Sequence, residues 1–61
     1  MKRFIREYAS YVKNDISSND LMRADIKQNA LSYIEKILRA TEKGFLTVTE
    51  TMEAIAHPFN H

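Results

Sequence analysis

His57 and His61 stand four residues apart, the spacing at which two imidazoles on one helix face can ligate zinc, and Glu53 precedes His57 by four as a third donor. Pro58 falls between the histidines and interrupts the helix that would align them, so no metal site is expected. Two other groups of residues have chemistry to offer. Tyr8, Tyr11 and Tyr33 are apolar in body and polar at the tip, which suits a protein interface better than acid catalysis. Lys2, Arg3, Arg6 and Lys13 form a basic cluster near the N-terminus, with Tyr8 and Tyr11 beside it; cations for phosphates and rings for bases are what a nucleic-acid contact requires. The chain has no cysteine and a single glycine. It shows no nucleophile-base pair, phosphate loop or dinucleotide fingerprint, so the expectation is no enzyme, no cofactor and no small-molecule substrate.

The elements that position these residues follow from spacing. Phe4, Ile5, Tyr8, Tyr11 and Val12 recur at helical intervals, with Lys2, Arg3, Arg6, Glu7, Ser10 and Lys13 largely on the other side, which predicts an amphipathic helix over about 2–14. The polar run from Asp15 to Asp20 predicts a turn, with Ser17 and Asp20 as an acidic capping box opening a second helix. That helix is expected over about 19–43, roughly 35 Å long, with Leu21, Ile26, Ala30, Leu31, Ile34, Ile37 and Leu38 along one face. Gly44 supplies a left-handed C-terminal cap. Phe45 and Leu46 are expected to plug the closed end of a hairpin. Thr47 and Glu50 form a capping box that opens a third helix over about 48–57, ended by Pro58. The fold class predicted is all-α: one domain of three helices, the long central helix forming an antiparallel hairpin with the short C-terminal one.

The stretch from Leu31 to Ala56 resembles the short helical hairpin of the SHOCT family. The resemblance rests on Ile34, Ile37, Leu38, Lys43, Gly44, Phe45, Leu46, Thr47, Glu50 and Met52: a helix ending in Lys-Gly, a hydrophobic pair, a threonine, then an acidic second helix. Pro58 and the lack of Lys or Arg after Lys43 depart from the basic, Leu-rich end of those hairpins. The whole chain also resembles small uncharacterised proteins of phages and prophages of Bacillus and related Gram-positive bacteria. Both likenesses imply oligomerisation or partner binding, with no catalytic residue to carry over.

At 61 residues the chain is short for a self-sufficient core, and without disulfides its remaining source of stability is association. The central stripe is longer than the third helix can cover, which points to a homo-oligomer, a dimer in the first instance, or to a different protein as partner. The expected contact surface is Tyr8, Tyr11, Leu21, Ile26, Leu31, Tyr33, Ile34 and Leu38. The leading expectation is thus a small regulatory or accessory protein acting by protein contact. A nucleic-acid-binding protein using Lys2, Arg3, Arg6 and Lys13 is one alternative, and a purely structural oligomerisation module another. Charge disfavours the former as a helix-turn-helix, because the third helix carries Glu50 and Glu53 and no base. No segment has the length and apolarity of a signal peptide or membrane span, and the cysteine-free composition suits the cytoplasm, so no membrane role is expected.

Overall fold

The structure, a computed structural model, describes residues 1–59, which form three α-helices and no strand: α1 (Arg3–Ser17), α2 (Ala24–Glu42) and α3 (Val48–Ala56). Each helix packs against both others. The core is small. It consists of Ile5, Ala9 and Ile16 from α1, Ala30 and Ile34 from α2 and Ile55 from α3, with the buried Thr51 among them. Tyr8, Val12, Met22, Leu31, Ile37, Leu38 and Met52 pack around this centre.

Two helix boundaries differ from the sequence-based expectation, and one residue accounts for both. Ile5, Ala9, Val12 and Ile16 continue the spacing of four, three and four residues that keeps one helical face apolar. Burying Ile16, 5% exposed, carries α1 on to Ser17 instead of ending it near residue 14. The expected Ser17–Asp20 capping box does not form. Instead the Ser18 hydroxyl donates to the Asn14 carbonyl at 2.9 Å and satisfies the end of α1, and Asn19 Oδ1 accepts the Leu21 amide at 3.0 Å, tightening the turn. α2 therefore starts at Ala24, five residues later than expected from residue 19. Its N-cap, Arg23, contributes no side-chain cap, while Asp25 in the first turn and Arg39 in the last have the signs that the helix dipole favours.

The second connection is built as its sequence predicts. The Phe45 amide donates to the Ala40 carbonyl at 3.0 Å and the Gly44 amide to the Thr41 carbonyl at 3.1 Å, a Schellman closure that requires the left-handed backbone of Gly44, φ 85°. The Thr47 amide then donates to Glu50 Oε1 at 2.9 Å and the Glu50 amide to Thr47 Oγ1 at 3.1 Å, a complete capping box on α3. Phe45 does not plug the end of the bundle: it is 75% exposed, and of the pair only Leu46 is half-buried.

One polar cluster crosses the apolar interior. Thr41 Oγ1 and Thr51 Oγ1 lie 2.7 Å apart, Thr41 also reaches the Ile37 carbonyl at 2.7 Å and Thr51 the Thr47 carbonyl at 2.8 Å. Two hydroxyl protons serve these three contacts, so one threonine donates to the other while its partner donates to its own helix. Such a pair ties α2 to α3 at one register, since sliding either helix would leave a buried hydroxyl without its mate.

Candidate interaction surface

The eight residues expected to form a contact surface do not form one face. Ile34 is fully buried in the intramolecular core, so it leaves the set. Tyr8, Leu31 and Leu38 are half-buried against that core, and Tyr33 is half-buried on α2. Three remain free to meet a partner: Tyr11 at 71% exposure, Ile26 at 41% and Leu21 at 98%. Leu21 is not on the α2 stripe at all, because α2 begins three residues after it. The expected uncovered half of the central helix is mostly roofed by α1, which buries Ala30 and Ile34.

Other exposed apolar residues were missed: Phe4 at 48%, Phe45 at 75%, Val48 at 38% and Phe59 at 49%. Phe45 follows Gly44 at a position that commonly packs back on the helix it ends, so no sequence signal foretold its exposure.

Polar contacts fix how α1 lies on α2. Arg6 meets Glu42 at 3.2 Å, Lys13 meets Glu35 at 2.5 Å, and Lys27 donates to the Ser17 carbonyl at 3.2 Å. These contacts descend α2 as they ascend α1, so the two helices run in opposite directions. The α1–α2 turn and the α2–α3 turn consequently sit at opposite ends of α2, whose 19 residues span about 28 Å, in a molecule 34 Å long and 20 × 15 Å across.

The basic cluster is largely neutralised within the chain. Arg3 pairs with Glu7 at 3.1 Å, Arg6 with Glu42 and Lys13 with Glu35, leaving Lys2 as the member without an ion pair among the described residues. The Lys13 ammonium, by its hydrogen bond and then by its charge, holds the Glu35 carboxyl below the usual carboxylate range, with Arg39 adding to the effect. The groove between α1 and α2, about 390 Å³, is lined by Arg6, Lys13 and Arg39 with Glu35 and Glu42 interleaved. A phosphate backbone would have to displace those carboxylates, which weakens the case for nucleic acid at this face.

On the other side, Tyr33, Glu50, Glu53, Ala54 and His57 line a shallow depression. The Thr47 amide, and then its hydroxyl, hold the Glu50 carboxyl below the usual carboxylate range in the α3 cap. Among the described residues no cluster of three or more His, Asp or Glu is placed to hold a metal ion, and His61 lies outside the described residues. No described helix is long and apolar enough to cross a membrane.

No family model matches this chain, and no curated protein or solved structure is similar to it. The most exposed apolar side chains, Leu21 and Phe45, each stand in an interhelical turn, and the turns bear unlike charges that have no ion-pair partner among the described residues, Asp20 in one and Lys43 in the other.

Proposed function

We propose that this chain is a small non-catalytic protein of bacterial or phage origin that works in the cytoplasm by protein contact, first of all with further copies of itself. The observation that carries the proposal is the contrast between a core of six hydrophobic side chains and the buried Pro58, and the side chains left in water, Leu21 at 98%, Phe45 at 75% and Tyr11 at 71%. Leaving large apolar groups exposed while so little is buried is economical only if they are covered in the working state. The chain exposes 4486 Å², against roughly 4,100 Å² for a compact monomer of 7.1 kDa, which points the same way. In this reading α2 and α3 are the antiparallel arms of a hairpin, supported by the short connection between Glu42 and Val48 and by the Thr41–Thr51 hydroxyl bond near its closed end.

Sedimentation equilibrium over an about hundredfold range of concentration, with a circular-dichroism melt at each end, tests the proposal. The expected result is a defined associated species and a melting temperature that rises with concentration. A well-folded monomer with a concentration-independent melt, retaining nothing from a bacterial lysate, would overturn it.

A further inference from the structure

The two interhelical turns are complementary. In the α2–α3 turn, Lys43 stands two residues before the protruding Phe45; in the α1–α2 turn, Asp20 stands directly before the protruding Leu21. Lys43 and Asp20 are both exposed, and among the described residues neither belongs to an ion pair, unlike Arg3, Arg6, Lys13 and Arg23, each of which is paired. The surroundings are mixed, since Lys27, held on the Ser17 carbonyl, stands near the Asp20 turn and Glu50, in the α3 cap, stands near the Lys43 turn. Lys2 precedes α1 at the end that Arg6 and Glu42 share with the Lys43 turn, while Asp15 borders Phe59 at the end that holds the Leu21 turn. Because α2 separates the turns by its full length, no molecule can satisfy this complementarity by itself.

We propose that the Lys43–Phe45 turn of one molecule docks on the Asp20–Leu21 turn of a second copy, a head-to-tail contact in which Phe45 covers Leu21 and Lys43 meets Asp20. This inference rests on the self-association proposed above and names the surfaces that make it. The two patches are different, so each copy has one donor end and one acceptor end, the arrangement that yields rings or chains when it does not close on two molecules. An end face 20 × 15 Å across is small for an obligate interface and fits a weak contact that forms as concentration rises. Apolar exclusion supplies the attraction and the unlike charges set which ends meet.

Complementing variants test this directly. Phe45→Glu spoils one end and leaves the Asp20–Leu21 turn intact; Leu21→Glu does the reverse, and the two spoiled ends repel each other. Both positions are exposed and outside the helices, so the helical circular-dichroism spectrum should be unchanged, which is checked first. Sedimentation equilibrium of each variant alone should show self-association weakened at least about tenfold. An equimolar mixture should recover a one-to-one complex, because each partner still offers the end that the other lacks. If the wild type associates but the two variants associate as strongly, or if mixing restores nothing, the turn-to-turn contact is wrong while self-association stands. A wild type that stays monomeric throughout removes both.

Discussion

Ile34→Ala and Leu21→Ala remove the same three carbon groups from opposite environments, and the difference between them measures how the chain divides into core and surface. Ile34 has no exposed area and sits in the core between α1 and α3; Leu21 is 98% exposed in the turn before α2. Three buried carbons at ~0.8 kcal/mol each contribute about 2.4 kcal/mol, and the cavity left behind raises the cost to about 2.5–5 kcal/mol. A 61-residue domain has roughly 3–9 kcal/mol in total, so Ile34→Ala removes a large fraction of it. At about 8 °C per kcal/mol for a domain of this size, the melting temperature should fall by about 20 °C or more, or the cooperative transition should vanish. Leu21→Ala should move it by less than about 4 °C, since a solvated side chain contributes within about 0.5 kcal/mol. Thermal melts by circular dichroism at the lowest workable concentration, where mass action withdraws the contribution of any association, are the appropriate assay. Comparable losses from the two variants would refute the argument, because they would place Leu21 on the buried stripe of an α2 that begins near residue 19.

Gly44→Ala should cost about 1–2 kcal/mol, read as a lower urea midpoint at unchanged slope; nothing stands within 4 Å of the added Cβ, so the whole cost is the left-handed backbone, and Gly44→Asn should recover part of it. Thr47→Ala should cost about 1 kcal/mol through loss of the α3 cap, with Thr47→Ser close to wild type in the same melt. Glu35 and Glu50 both have carboxyl pKa values depressed in the folded state, by the Lys13 contact and the Thr47 cap respectively, so their contribution is complete above the unfolded pKa and is lost as pH falls through the folded one. The melting temperature should therefore hold down to about pH 5 and decline below it, and Glu50→Gln, whose amide oxygen can still accept from Thr47, should shallow that decline; an identical acid limb in the variant would count against the cap as its source.

What the sequence made legible is local. Gly44, Thr47 and Glu50 encode their turn and cap in nearest-neighbour hydrogen bonds, and the structure contains those bonds atom for atom. The first turn was misread because two local signals competed: the polar run from Asp15 to Asp20 argues for an early stop, while Ile16 is an apolar residue in phase with Ile5 and Ala9. Tertiary burial decided the contest, since a helix end can be closed by Ser18 at little cost but an exposed isoleucine forfeits its burial. The contact surface was the least legible part for the same reason. Periodicity identifies the face of α2 that is apolar; it does not say that α1 will pack on the helix, nor that the two most exposed apolar residues, Leu21 and Phe45, will stand in turns, where no periodicity operates.

The size of the core links the fold to the proposed contact. Six buried hydrophobic side chains and Pro58, among the described residues, leave a stability that a single substitution such as Ile34→Ala can exhaust. A second copy present at about a hundred times its dissociation constant adds about 2.7 kcal/mol to the folded state, the same order as that side chain. A weak end-to-end contact of the kind proposed would therefore be large on the scale of this domain, and folding and association would be thermodynamically coupled. The turns are suited to that coupling. Their exposed residues lie outside the Thr41–Thr51 pair and the Arg6–Glu42 and Lys13–Glu35 bridges that fix the helices, so a contact made through Phe45 and Leu21 stabilises the fold without asking the bundle to rearrange.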